Sequence, residues 1–153
     1  MSARSLDEFQ QRLGHQFHDV GLLRLALTHP SLSQEQNRSI PHNQRLEFLG
    51  DAVLQLSLTR ELYDRYPALD EGVLTKARAR LVNRVTLAEQ ARRMRLGEHL
   101  ILSRGEESTG GCGRASNLAD AFEALVGAVY LDGGFDAARS LVLRLFNDDF
   151  PPA

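Results

Sequence analysis

Residues 43–56, NQRLEFLGDAVLQL, set two acidic side chains, Glu47 and Asp51, into an otherwise apolar helical pattern. At 100° per residue these two side chains project about 40° apart and share one face of a helix. The opposite side is apolar and carries Leu46, Leu49, Val53 and Leu56. A helix that is apolar nearly all round is normally buried, and an unpaired buried carboxylate is unfavourable by several kcal/mol. The stretch therefore predicts a buried helix whose carboxylates need a compensating partner.

Residues 116–132, SNLADAFEALVGAVYLD, repeat this anomaly. Asp120 and Glu123 project about 60° apart from a strongly apolar run. Ala124 and Gly127 lie on the same side, and small residues let another helix approach closely. We therefore expect the two acidic helices to face each other.

Four carboxylates that converge in this way repel one another, so either some are protonated or cations lie between them. Oxygen-only ligands suit Mg²⁺ or Mn²⁺, which keep several waters and can also bind phosphate oxygens. The candidate metal ligands are Glu47, Asp51, Asp120 and Glu123. Two alternatives remain open at this point: solvated charge stripes on ordinary helices, or a structural salt-bridge network with arginines.

Helical periodicity extends along the 153-residue chain, whereas alternating β-type segments are hard to find. We predict a single all-α domain over residues 1–153. Glycines and prolines divide it into about seven helices, with expected spans of about 5–13, 20–28, 42–65, 71–80, 84–95, 116–132 and 135–147. Residues 105–115, GEESTGGCGRA, are expected to form a mobile glycine-rich connector.

Composition argues against several classes of protein. Eighteen basic and twenty acidic residues leave a net charge of −2, which neither favours nor opposes a polyanionic partner. Cys112 is the single cysteine and has no intrachain disulfide partner, and the polar start MSARSLDEFQQRLG lacks the apolar core of a secretory signal. No uncharged apolar run approaches the roughly 18 residues of a membrane span. The five histidines show no zinc-type spacing. We expect a soluble, cytoplasmic protein.

Taken together, these motifs resemble the endonuclease domain of bacterial ribonuclease III. The resemblance covers about residues 8–146 and rests, in order, on LGHQF (13–17), LLRLALTHPS (22–31), LEFLGDAVL (46–54), EGVLTKARARLVNRVTLAEQAR (71–92), GGCGRAS (110–116) and LADAFEALVGAVYLD (118–132). It implies a homodimer that hydrolyses double-stranded RNA with Mg²⁺, for which Mn²⁺ can substitute, and without an organic cofactor. It also implies 5′-phosphate and 3′-hydroxyl ends with short 3′ overhangs, and a role in processing ribosomal RNA precursors and other RNAs.

The resemblance assigns roles to individual positions. The family's metal-binding, catalytic carboxylates match Glu47, Asp51, Asp120 and Glu123. Phe48 matches an aromatic residue that inserts into a socket on the partner subunit, although core packing is the alternative for this side chain. Gln44 stands where many members have a further glutamate, and it supplies no formal charge. Bacterial members usually continue into a double-stranded-RNA-binding domain that is absent here, so we expect an excised catalytic domain.

Residues 76–95 are the basic part of the chain, with seven lysines and arginines against one acid. Because phosphate contacts dominate nucleic-acid affinity, this stretch is a candidate for binding the RNA backbone. The candidate contacts are Lys76, Arg78 and Arg80, together with Arg114 in the glycine-rich segment before a helix start. An ordinary solvated helix surface is the alternative.

Overall fold

The computed structural model describes residues 3–152, with side chains from Leu6 onward, and confirms the all-α prediction. Within this part the α-helices are α1 (Ala3–Leu13), α2 (Val20–Leu27), α3 (Ser31–Glu35), α4 (Gln44–Arg65), α5 (Glu71–Val82), α6 (Arg84–Arg93), α7 (Arg104–Ser108) and α8 (Ala115–Phe146). Short 3₁₀ turns span Leu96–His99, Gly111–Gly113 and Asn147–Asp149. No helix among these residues has the length and apolar character needed to cross a membrane. The ends of the domain predicted over residues 1–153, namely residues 1, 2 and 153, lie outside the described residues.

Three features differ from the predicted helices. The short helices α3 and α7 were not predicted, because five residues are too few to show a helical period. The expected connector over 105–115 is folded instead: it contains most of α7 and a 3₁₀ turn, and an Arg114–Glu106 ion pair ties it together. The helices predicted over 116–132 and 135–147 are the two parts of α8, interrupted at Gly134, which adopts a φ of 87°.

Helices α4 and α8 touch backbone to backbone. A Cβ atom placed on Gly50 would overlap the carbonyl oxygen of Glu123, and one placed on Gly127 would lie 2.5 Å from the carbonyl oxygen of Leu46. Only glycine allows so close an approach at these two positions. The prediction that the acidic helices face each other through small residues is confirmed, with Gly50 as the counterpart of Gly127.

Apolar side chains from both ends of the chain meet around this helix pair to form the core. The largest of the fully buried ones include Phe9, Leu23, Leu27, Leu54, Leu58, Leu87, Phe122 and Phe146. These side chains come from α1, α2, α4, α6 and α8. The two acidic helices are therefore held by a core to which most of the long helices contribute.

Asp132, in α8, fastens the loop between α1 and α2. Its carboxylate accepts hydrogen bonds from the backbone N–H groups of His18 at 3.1 Å and Asp19 at 2.9 Å, and it lies 2.9 Å from Nε2 of His15. Desolvation, the largest single influence, acts to raise the pKa of Asp132, but these hydrogen bonds together lower that pKa to about 2. The site of this contact is remote from the acidic residues earlier in α8.

One face of α4 is open to solvent, which corrects the prediction of a helix buried all round. Phe48 is 84% exposed, and Leu56, which was predicted to belong to the core side, is 57% exposed. These two residues are eight positions apart and lie about 80° apart around the helix axis, so both border the same exposed face. Apolar character alone does not distinguish such a face from one that packs into the core.

Candidate functional site

The four predicted acidic residues lie beside the contact between α4 and α8. Glu47 is in the first turn of α4 and Asp51 follows one turn later, while Asp120 and Glu123 belong to the first turns of α8. The backbone of Glu123 packs against Gly50, between the two α4 carboxylates. All four side chains are partly exposed and not fully buried as expected. The close helix contact thus brings the two pairs to one partly solvated place.

The electrostatics of the site reflect this crowding. Burial raises the pKa of Glu123, and the charges of the other three carboxylates raise it further, to about 8. Burial also raises the pKa of Glu47, with added effects from Asp120 and the neighbouring α4 carboxylate. For Asp120, burial raises the pKa, and the positive charge of Arg84 opposes the rise. Without a cation, Glu123 is therefore protonated at neutral pH, and ionisation of the whole cluster is unfavourable.

This set of ligands fits a hard divalent cation. Carboxylate oxygens are the ligands that Mg²⁺ and Mn²⁺ prefer, and a cation would offset the burial and the repulsion that together raise the pKa of Glu123. Among the described residues, no three histidine, cysteine, aspartate or glutamate side chains stand ready to hold one ion. The four carboxylates influence one another's pKa without forming a ready-made ion site, because charges act over about 4–6 Å or more, whereas Mg²⁺ coordination requires about 2.1 Å. Binding would therefore turn the side chains inward, including that of Asp51, which now accepts a hydrogen bond from Gln55 at 3.1 Å.

Sequence reasoning missed two buried asparagines that precede the acids. Asn43 lies four residues before Glu47 and is 2% exposed, and Asn117 lies three residues before Asp120 and is 6% exposed. A polar residue next to an apolar run was the only local signal. Asn117 contacts His29, 88 residues away, and Asn43 contacts Ala26, 17 residues away, so a local pattern could not identify these two contacts.

The basic candidates on α5 fall into two groups. Lys76 and Arg80 are exposed, whereas Arg78 is partly buried and donates a hydrogen bond to Oγ1 of Thr59 on α4 at 3.0 Å. Arg84, at the start of α6, is close enough to lower the pKa of Asp120. The structure therefore adds a basic residue beside the acids that had not been singled out.

The remaining basic candidate, Arg114, already has protein partners. It forms an ion pair with Glu106, and its guanidinium also donates to the carbonyl oxygen of Thr109 at 3.3 Å. These contacts close the turn between α7 and α8. Arg114 thus has a structural task whether or not it also contacts RNA.

Phe48 stands at the rim of an apolar cleft of about 880 Å³. The cleft is lined mainly by residues of α2, the segment before α4, α4 itself and α8, among them Leu22, Leu25, Ile40, Leu49 and Leu131. Leu131 is itself exposed. An exposed aromatic side chain therefore lies next to an open apolar hollow on the same protomer.

Comparison with known proteins gives consistent results. A family model described as Ribonuclease-III-like matches residues 19–149. Ribonuclease 3 of Oleidesulfovibrio alaskensis is 50% identical over 145 residues, which cover 95% of this chain and 63% of that protein. Ribonuclease 3 of Nitratidesulfovibrio vulgaris is 48% identical over 152 residues, covering 99% of this chain and 60% of that protein. The chain thus spans less than two thirds of the length of these relatives.

Two kinds of solved structure share the fold. The nuclease domain of ribonuclease III from Campylobacter jejuni superposes with a TM-score of 0.89 at 40% identity, covering 96% of this chain and 99% of that domain. That structure is described in terms of a region involved in dimer formation. Dicer from Pichia stipitis superposes with a TM-score of 0.65 at 28% identity, covering 86% of this chain and 56% of the Dicer chain.

Proposed function

Because this chain belongs to the ribonuclease-III-like family, we propose that it is an endoribonuclease that hydrolyses double-stranded RNA with the help of Mg²⁺ or Mn²⁺. The observation that carries the proposal is the electrostatic coupling of four carboxylates across the α4–α8 contact. The proposed products have 5′-phosphate and 3′-hydroxyl ends with short 3′ overhangs. The proposed role is processing of ribosomal RNA precursors and other RNAs in the cytoplasm.

The chain's own residues would divide the work as follows. Glu47, Asp51, Asp120 and Glu123 hold the cation and are the proposed catalytic residues. A bound divalent ion lowers the pKa of a water ligand and stabilises negative charge on phosphate oxygens. Glu123 holds a proton when the site has no cation and must release it on binding, because its pKa is raised to about 8. Gln44, exposed at the start of α4, supplies an amide group and no charge.

The proposed RNA surface runs from α5 to the start of α6. Lys76 and Arg80 are exposed there, and Arg84 adds positive charge next to Asp120. A-form duplexes are recognised largely through phosphates, 2′-hydroxyls and shape, so these cations suit the RNA backbone. Arg78 and Arg114 would join this surface only through the donors that their present protein contacts leave free.

We also propose that the protein acts as a homodimer, with Phe48 as the anchor. Its ring is exposed beside an apolar cleft, and in a two-fold dimer each ring could enter the cleft of the partner. The similar Campylobacter jejuni nuclease domain has a region involved in dimer formation, which supports a dimer for this chain. Two acidic sites would then lie along one duplex, one for each strand.

Cleavage of a labelled RNA duplex tests the proposed activity. The parent chain should cut the duplex with Mg²⁺ and not with a chelator present. Glu123→Gln keeps the size of the side chain but removes its charge, and should lower the cleavage rate by roughly 100-fold or more. Glu107→Gln, an exposed change on α7, is the matched control and should leave the rate unaltered.

The alternative outcome identifies a different class of protein. If the parent binds the duplex but neither it nor Glu123→Gln cleaves with Mg²⁺ or Mn²⁺, the chain is a non-catalytic RNA-binding module. Equal cleavage of a single-stranded control would instead contradict the proposed duplex specificity.

A further inference from the structure

The first turn of α8, which leads into Asp120, is anchored by a buried side chain within the helix. Arg114, at the N-cap position, makes no side-chain capping bond. Asn117 does the anchoring from inside the helix: its Nδ2 donates to Oε1 of Glu106 at 2.8 Å and to the carbonyl oxygen of Gly111 at 3.0 Å. Its Oδ1 lies 3.1 Å from Nε2 of His29. One buried side chain thus ties the start of α8 to α7 and to the residues after α2.

Two backbone groups fix the direction of these hydrogen bonds. The carbonyl oxygen of Gly111 can only accept, so the NH₂ group of Asn117 must face it and Oδ1 must face His29. The backbone N–H of Ser31 can only donate, so Nδ1 of His29 accepts from it at 3.1 Å. His29 therefore carries its proton on Nε2 and donates it to Asn117. Each donor in this series of hydrogen bonds therefore faces an acceptor.

The same short segment also holds the start of α4. The backbone N–H of Asn43 donates to the carbonyl oxygen of Thr28 at 2.9 Å, and its Nδ2 donates to that of Ala26 at 3.2 Å. The carbonyl oxygen of Asn43 in turn accepts from the backbone N–H of Glu47 at 2.8 Å. Residues 26–29 thus contact the starting turns of both acidic helices.

This segment is itself held in place. Thr28 and Ile101 form a parallel β-bridge, in which His29 N–H donates to the carbonyl oxygen of Ile101 at 2.9 Å. Ser31 Oγ accepts from the backbone N–H of Ser103 at 3.0 Å, just before α7. The segment is therefore a fixed support and not a loose loop between the helices.

We infer that Asn117 and His29 are positioning residues of the divalent-cation site. The inference rests on the proposed function. Asp120 lies three residues after Asn117, within one helical turn, so a shift of this anchor moves Asp120 relative to Glu47. The hydrogen bond between Asn117 and His29 therefore sets the spacing of the carboxylates contributed by α8 and α4.

Binding of Mn²⁺ to the protein, measured by electron paramagnetic resonance without RNA, tests this inference. Asn117→Leu has a similar volume but makes no hydrogen bonds, and should weaken Mn²⁺ binding by about 10- to 100-fold. The measurement is made well below the melting temperature of each variant. Binding within twofold of the parent chain would overturn the inference.

A matched control separates positioning from general loosening. Asp132→Asn also alters a buried hydrogen-bonded group of α8, but about 18 Å beyond Asp120 along the helix. It should lower the melting temperature and leave Mn²⁺ affinity within twofold. If it weakens Mn²⁺ binding as much as Asn117→Leu does, the effect is not positional and the inference fails.

Variants of His29 provide a rescue test that stands even if Asn117→Leu does not fold. Glutamine places its amide nitrogen about where imidazole has Nε2, so His29→Gln keeps the donor to Asn117, whereas His29→Leu removes it. We expect near-parent Mn²⁺ affinity for His29→Gln and a 10- to 100-fold loss for His29→Leu. Equal affinities for these two variants would contradict the inference.

The Mn²⁺ affinity of the parent chain distinguishes failure of the proposed function from failure of the positioning role. A parent that binds no Mn²⁺ overturns the proposed function and this inference with it. If the parent binds Mn²⁺ and both Asn117→Leu and His29→Leu bind it equally tightly, only the positioning role is overturned.

Discussion

Glu123 shares its surroundings with three other carboxylates, and burial together with their charges raises its pKa to about 8. In the unfolded chain the same group has an ordinary pKa near 4.5. Between these two values the folded protein binds more protons than the unfolded one, so stability falls as pH rises. The raised pKa values of Glu47 and Asp120 act in the same direction. The metal-free site therefore reduces the stability of the fold at neutral pH.

The raised pKa of Glu123 predicts how the melting temperature depends on pH. The melting temperature of the metal-free parent should fall relative to that of Glu123→Gln as pH rises from about 5 to 8, because only in the parent does unfolding release a proton from this group. Saturating Mg²⁺ should raise the parent's melting temperature more at pH 8 than at pH 6. Differential scanning fluorimetry measures both effects.

Glu107→Gln again serves as the control, since it removes an exposed acid that lies outside the cluster. Its melting temperature should follow that of the parent at every pH. A constant difference between the parent and Glu123→Gln across the whole range would show that the pKa of Glu123 is not raised.

At the scale of helices, the sequence was sufficient to predict an element where its apolar pattern is local and long. The 22 residues of α4 and the acidic start of α8 carry enough apolar periodicity to be identified as helices. The small side chain of Gly127 was sufficient to predict that this side of α8 faces α4. Leu56 was misplaced because an apolar residue looks the same whether it packs into the core or borders an exposed face. The support formed by His29 and Asn117 could not be predicted, because its partners are 88 residues apart.

The contact between α4 and α8 predicts the effect of adding one methyl group. Gly50→Ala should lower the free energy of unfolding by about 1–3 kcal/mol or more, since the new Cβ overlaps backbone and not a movable side chain. Urea denaturation followed by circular dichroism measures the loss.

Gly72→Ala is the matched control. It lies in the first turn of α5, where the new Cβ would meet only Oδ1 of Asp70 at 3.4 Å. Its stability should be unchanged or higher by up to about 1 kcal/mol, because alanine favours a helix more than glycine does. A Gly50→Ala variant as stable as this control would contradict the close helix contact.

At the scale of the whole molecule, the exposed face of α4 is the feature that a single protomer leaves unexplained. Phe48, Leu56 and Tyr63 expose apolar surface along one side of the helix, and the cleft beside Phe48 is open. Contiguous apolar surface of this kind marks interaction sites. A second copy of the chain, related by two-fold symmetry, is the proposed occupant.

Truncation of Phe48 tests this assembly. Phe48→Ala should shift the protein toward the monomer in sedimentation velocity, with a rise in dimer dissociation constant of about 30-fold or more, as expected for loss of a central aromatic anchor. Val85→Ala removes another exposed apolar side chain, on α6, and should leave the dimer intact. An unchanged dimer for Phe48→Ala would exclude its role as the anchor.

The backbone contact between Gly50 and Glu123 also has a consequence during synthesis of the chain. About 70 residues separate Asp51 from Asp120, so the ribosome makes one half of the acidic site well before the other. At about 5–20 residues per second, this interval lasts roughly 3 to 14 seconds. A nascent chain that has produced only α4 cannot assemble the four carboxylates. The chemistry proposed for this protein is therefore delayed until α8 has emerged and packed against α4.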